Sequence, residues 1–118
     1  MSADAANVSS GLPMTTALEF SDFNVTGNLG IVYGLVVRSM GLAGGIAAGL
    51  KSMRRGEVSQ YTRLLEDSRR HAIDRLVDNA RLVGADGVLA VRFDSSEIGQ
   101  QLTEIVAYGT AVTLVPRG

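Results

Sequence analysis

The chain has 118 residues and a formal net charge of −1 at pH 7, with 46% hydrophobic and 19% charged residues. This composition excludes a wholly disordered chain and predicts a single domain, and the balanced charge excludes a global electrostatic footprint for nucleic acid. The absence of Cys and the single His exclude disulfides, thiolate nucleophiles, Cys-ligated zinc and multi-histidine metal sites within one chain.

The N-terminal residues are small and polar and show no hydrophobic periodicity. They predict a flexible N-terminal tail over residues 1–16, followed by one domain over residues 17–118. The tail has no basic residue and no apolar segment, so it is unlike a secretory signal and we expect a cytoplasmic protein. Residues 17–28 are expected to form an extended lead-in that ends in a turn at Gly27 and Asn28.

Residues 29–50 contain one charge, Arg38, and are long enough to imitate a transmembrane helix. The central charge, the six glycines and the β-branched and aromatic run at 31–37 all argue against a membrane span. We expect a buried strand at 30–38, followed by a Gly/Ala-rich loop or short helix at 40–53. Glycines spaced four residues apart in that segment would also allow close contact between copies.

A long amphipathic helix is predicted over residues 56–83, with Gly84 as its C-terminal stop. The opposite face is charged, and oppositely charged side chains recur there at i,i+4 spacing. The apolar positions fall within one stripe of the helical wheel, and they are Val58, Tyr61, Leu65, Ala72, Ile73, Leu76, Ala80 and Val83.

Two strands follow the helix, at 87–94 and 102–115, and form an antiparallel hairpin. The fold class is therefore α+β, with an antiparallel sheet backed by one long helix in βαββ order and short extra strands near the N-terminus. The last strand is apolar on both alternating faces. Because one helix cannot cover both faces of the sheet, we expect another copy of the chain to cover the spare face, in a homo-oligomer.

Four segments together resemble the YbjQ-like family, a bacterial group described as a "putative heavy-metal-binding" domain whose biochemical function is not established. They are GIVYG at 30–34, YTRLLEDSR at 61–69, LVGADGV at 82–88 and GTAV at 109–112. The resemblance covers about residues 25–114. It implies a dodecin-subunit-like βαββ fold and assembly into pentameric rings. Leu35 stands where the family often has Glu, so an expected carboxylate is missing.

Arg69 is the most distinctive candidate for ligand binding, because it falls inside the apolar stripe of the helix. A guanidinium in a core must be paired. It could form a structural ion pair with Glu104 or Asp94, bind an anion at a subunit interface or central channel, or extend to solvent. Tyr61 and Tyr108 are the other candidate ligand-binding residues.

A metal site would require symmetry, because one carboxylate per subunit at the axis of a five-membered ring would give a ring of five carboxylates. The candidates are Asp94, Glu97 and Glu104, and oxygen ligands favour Ca²⁺, Mg²⁺ or Mn²⁺ over soft heavy metals. His71, the single histidine, is expected to be exposed. No organic cofactor is expected.

No nucleophile–base pair or His–carboxylate dyad is present in the pattern, so no catalytic residue is assigned. The sequence therefore predicts a non-enzymatic ring that binds a small ligand or ion at its subunit interfaces, with no nucleic-acid partner. The alternative is a structural or protein-interaction module that acts through its N-terminal tail or Gly-rich loop.

Overall fold

The computed structural model describes residues 11–39, 58–99 and 102–118. Its elements are β1 (Phe23–Ser39), α1 (Val58–Leu82), β2 (Gly87–Glu97) and β3 (Leu102–Pro116). β3 lies at the centre of the sheet and pairs antiparallel with β1 on one side and β2 on the other. The predicted α+β fold in βαββ order is confirmed. The loop or short helix expected at 40–53 lies outside the described residues.

β1 is longer than predicted, because it begins at Phe23 rather than at residue 30. Gly27 and Asn28 do not form a turn; they lie inside the strand, between two shifts of the β1–β3 register. The second shift coincides with Gly30, whose φ of 97° is accessible to glycine. The chain therefore continues through residues 27–28 as a strand with irregular β1–β3 pairing, and the expected turn is absent. Among the described residues, no helix is long and apolar enough to cross a membrane.

α1 packs across the sheet and lies close to β1. Its predicted boundaries at 56 and 83 are within two residues of those observed, and Gly84 follows in the left-handed region with a φ of 79°. Gly34 permits the close approach, since a Cβ there would overlap the backbone of α1 at Ala72 and Leu76. The core between helix and sheet is aliphatic and includes Val32, Val36, Leu76, Val77, Ala80, Val88, Val91, Ile105, Ala107 and Ala111.

The segment 11–16 belongs to this core, so the prediction of a flexible tail over residues 1–16 is wrong for these residues. Leu12 and Met14 are buried against the main core. The backbone lies beside β2, where the Val88 amide donates to the Pro13 carbonyl at 3.0 Å and the Thr15 amide donates to the Val88 carbonyl at 3.1 Å. Residues 1–10 lie outside the described residues.

Candidate functional site

The sheet face opposite α1, called here the outer face, is apolar along β1. Alternate β1 side chains point to it, and Ile31, Tyr33 and Val37 are 79%, 58% and 48% exposed. Leu35 lies between them and is also exposed. The outer face therefore presents a continuous row of large apolar side chains that no described residue of the chain covers.

The neighbouring strand widens this apolar surface. Tyr33 stands opposite Tyr108 on β3, and Leu35 stands opposite Val106. Both β3 side chains are only half-buried. Single exposed apolar side chains are normal on protein surfaces, but a contiguous apolar patch two strands wide is typical of an interaction site.

The opposite end of the outer face is covered by the chain itself. Phe20 is fully buried there against Leu89 and Val112, in a small second core. The apolar face that sequence analysis assigned to residues 102–115 is thus partly covered, and the most exposed apolar side chains lie on β1 instead.

β1 is an edge strand, and side chains of α1 bind its backbone. The Asn79 amide nitrogen Nδ2 donates to the Tyr33 carbonyl at 2.7 Å. The Arg75 guanidinium donates to the Leu35 carbonyl at 3.1 Å. These bonds fix both helix side chains beside the strand edge, and they occupy two carbonyls that an added strand could otherwise use.

A groove of about 390 Å³ lies at this edge, between β1 and α1. Arg75 and Asp78, one helical turn apart, both line it, yet they form no ion pair with each other or with any other described residue. An unpaired cation and an unpaired carboxylate thus border one cavity. The groove is lined by Tyr33, Leu35, Arg75, Asp78 and Asn79.

Arg69 is exposed rather than buried in the core. Its guanidinium lies 5.0 Å from the centre of the Phe93 ring on β2, a cation–π contact. The expected ion pair with Asp94 or Glu104 is wrong for the described residues, and the alternative in which Arg69 reaches solvent agrees with the structure. Its neighbour Ser68 occupies the buried position of the helix instead, and its hydroxyl donates to a carbonyl of the preceding turn at 2.8 Å.

The three candidate ligand-binding residues do not converge. Tyr61 is buried on the side of the sheet where α1 packs, whereas Tyr108 points to the outer face. Arg69 therefore shares a site with neither the Tyr108 ring nor the groove at the β1 edge. The hydroxyls of Tyr61 and Thr103 are both buried, and neither has a hydrogen-bond partner among the described residues.

The three candidate metal ligands are divided between the two faces of the sheet. Asp94 and Glu104 stand on the outer face, in register with Val106 and Ser96. Glu97 pairs with buried Thr103 and belongs to the opposite face. The expected set of three carboxylates is therefore not assembled within one chain.

No group of three His, Asp or Glu side chains able to hold a metal ion occurs in the described part of the chain. His71 Nδ1 lies 2.9 Å from the guanidinium of Arg38. Because a guanidinium has no acceptor, Nδ1 accepts this hydrogen bond and is not available to a metal. The chain contains no Cys, so its described donors do not fit a soft heavy-metal ion.

Arg75, Asp78 and Asn79 were not among the site residues predicted from the sequence. Arg75 and Asp78 fall outside the apolar stripe of the predicted helix, where charged residues are ordinary, and Asn79 falls at the margin of the stripe, five turns after Tyr61. No local signal marks the three as one site, because the groove exists only where α1 meets an edge strand more than 35 residues earlier in the chain.

Comparison with known proteins gives consistent matches over most of the chain. A family model described as "Putative heavy-metal-binding", the YbjQ model, matches residues 12–115. A UPF0145 protein of Bradyrhizobium sp. (strain ORS 278) is 52% identical over 98 residues, covering 79% of this chain and 88% of the relative. A UPF0145 protein of Sulfurisphaera tokodaii is 42% identical over 105 residues, which cover 89% of this chain and 92% of the relative.

The second relative is archaeal, as is a UPF0145 protein of Thermoplasma volcanium that is 52% identical over 90 residues and covers 76% of this chain and 74% of the relative. The expectation of an exclusively bacterial group is therefore wrong. A solved structure of a protein of unknown function from Pediococcus pentosaceus, of the DUF74 family, has a TM-score of 0.60 at 13% identity. The match covers 89% of this chain and 99% of the Pediococcus chain, and it supports the α+β fold described above.

Proposed function

The chain belongs to the YbjQ-like family, which includes the UPF0145 proteins, and we propose that it acts as a non-enzymatic homo-oligomeric ring in the cytoplasm. The family resemblance favours five subunits. In this proposal the ring binds a small ligand at its subunit interfaces, and the apolar row on the outer face of β1 forms part of each interface. The exposure of that row is the single observation on which the proposal rests.

Covering the apolar row on β1 would stabilise the protein. Fully burying one large aliphatic or aromatic side chain contributes roughly 1.5–3 kcal/mol relative to leaving it exposed. The row contains four such side chains, Ile31, Tyr33, Leu35 and Val37, and all four are more than a third exposed. Covering them with a second copy would gain several kcal/mol per interface by the same estimate. A lone chain gives up this stabilisation.

The mode of contact is suggested by the strand edges. Arg75 and Asn79 occupy carbonyls on the β1 edge, and residues 13–17 lie along the first half of β2. Both features oppose strand addition at those positions. A second copy would therefore meet β1 through its outer face rather than by extending the sheet there.

Substitutions in the apolar row, followed by measurement of the mass of the assembly, test this proposal. Ile31→Lys and Val37→Lys place charges on the outer face, and Leu82→Lys is the matched control because Leu82 is 83% exposed on α1. Native mass spectrometry should show a multiple of 12.4 kDa for the unmodified chain and for the control, and a lower mass for both outer-face variants. Circular dichroism should show that all three variants fold.

Two results would contradict the proposal. One is an unmodified chain that remains a monomer at micromolar concentration. The other is an assembly whose mass neither outer-face substitution changes.

The alternative, an interaction module that acts through the tail or the Gly-rich loop, has less of the chain available to it. Leu12 and Met14 are buried in the core, so the apolar side chains of residues 11–16 are not available to a tail partner. Deleting residues 2–10 should leave the assembly and any bound small molecule intact if the ring proposal is correct.

The metal in the family description is not part of this proposal. The described donors do not fit a soft metal, and Glu97 is separated from Asp94 and Glu104. A ring of outer-face carboxylates from several subunits stays a prediction. Binding of Ca²⁺ or Mn²⁺ that is lost in Glu104→Gln would support it.

A further inference from the structure

We infer that the groove at the β1 edge binds a small zwitterionic molecule of the amino-acid type, one that has a carboxylate and an ammonium group on the same carbon atom. The inference rests on the proposed function, because the groove borders the outer face where a second copy is proposed to sit. It assigns a ligand class to that interface.

The two charges of the groove are the first reason. Arg75 and Asp78 are spaced i,i+3 on α1, a spacing at which opposite charges commonly pair. They do not pair here, and the guanidinium donates to the Leu35 carbonyl at 3.1 Å instead. Arginine has five N–H donors in a planar fork, so donors remain for a carboxylate. Asp78 has no hydrogen bond or ion pair with any described residue, so it remains available to an ammonium group.

Asn79 adds a second acceptor. Its Nδ2 donates to the Tyr33 carbonyl at 2.7 Å, which fixes the orientation of the amide and leaves Oδ1 as the acceptor. An ammonium group has three N–H donors. The Asp78 carboxylate and the Asn79 amide oxygen together provide the acceptors that such a group needs, one position apart on the same helix.

Size and lining complete the argument. A volume of about 390 Å³ lies in the range of small-molecule sites, roughly 300–1,000 Å³. The exposed side chains of Tyr33 and Leu35 give the groove an apolar wall, which suits the side chain of an amino acid. A simple anion would be repelled by Asp78, and a simple cation by Arg75.

The experiment uses the full chain and the free proteinogenic L-amino acids, each at millimolar concentration. Binding is measured by thermal shift and then by calorimetry. At least one amino acid should bind. Its two single-charge analogues, the amine without the carboxylate and the acid without the amine, should bind ~10-fold more weakly or worse, because each loses hydrogen bonds to a charged group.

Asp78→Asn is the decisive variant, because it removes the charge with little change in shape and breaks no contact in the described structure. It should weaken amino-acid binding ~10-fold or more. Arg63→Gln, on the exposed side of α1 and outside the groove, is the matched control and should bind as the unmodified chain does.

Three outcomes would overturn the inference: no amino acid binds, the acid analogue binds as tightly as the amino acid, or Asp78→Asn binds normally. The mass of the assembly, measured on the same samples, distinguishes an error in the ligand class from an error in the proposed oligomer. An intact assembly that binds no amino acid refutes only the ligand class. A monomer that binds one through Asp78 refutes only the assembly.

Discussion

Replacing Gly34 with Ala tests the closest contact between β1 and α1. A Cβ at this position would overlap the Ala72 carbonyl oxygen and the Leu76 amide nitrogen of α1, and it would lie 2.9 Å from the carbonyl carbon of Arg75. All three atoms belong to the helix backbone, so no side-chain rotation can relieve the overlap. α1 would have to move away from the sheet.

The cost has two parts. Overpacking of this kind typically costs about 1–3 kcal/mol. A shift of α1 would also loosen the bonds from Arg75 to the Leu35 carbonyl and from Asn79 to the Tyr33 carbonyl, each worth about 1 kcal/mol net. We therefore expect Gly34→Ala to lower the free energy of unfolding by about 3–5 kcal/mol.

Urea unfolding followed by circular dichroism, at one fixed protein concentration, measures this loss. Gly30→Ala is the matched control, since no atom lies within 4 Å of its Cβ position and its φ is 97°. Backbone strain alone should then cost about 1–2 kcal/mol. The account of the helix–strand contact is wrong if Gly34→Ala costs no more than Gly30→Ala.

Three further predictions concern other parts of the fold. Met14→Ala should cost about 2–5 kcal/mol in the same unfolding assay, whereas the exposed Leu18→Ala should change stability by less than about 0.5 kcal/mol; equal effects would show that residues 11–16 are not part of the core. Thr103→Val removes a buried hydroxyl without a partner among the described residues and should raise the free energy of unfolding by about 1 kcal/mol, while a loss would reveal a partner. Arg69→Met should cost only about 0.5–1 kcal/mol, the value of a cation–π contact at an exposed site; a loss of about 3–5 kcal/mol would instead indicate a broken buried ion pair.

Local periodicity was sufficient to predict the helix and the βαββ order of the elements along the chain. The apolar stripe of α1, the stop at Gly84 and the apolar run of β3 are all properties of neighbouring residues, and the sequence displays them directly. The limit of this reasoning is visible at Arg69. Arg69 falls near the middle of the stripe assigned to α1, yet the structure buries Ser68 and leaves Arg69 exposed against Phe93. Periodicity predicts the apolar face of a helix but not which turns of that face the sheet covers.

The remaining features depend on contacts between distant parts of the chain. Residues 11–16 have no periodicity of their own, and they are ordered because β2 supplies partners for their backbone. Phe20, which precedes β1, covers Val112 on the outer face of β3. The apolar surface that remains uncovered therefore lies mainly on β1. The groove requires two α1 side chains to meet carbonyls of β1. No local sequence pattern predicts these contacts between distant residues.

The mass of the unmodified full-length chain in solution tests the central claim most directly. Light scattering across a micromolar concentration series should give one assembly at a fixed multiple of 12.4 kDa, with five copies favoured by the family resemblance. A single species of 12.4 kDa throughout the series would show that the apolar row on β1 is stable in water without a second copy, and the proposed interface would be wrong.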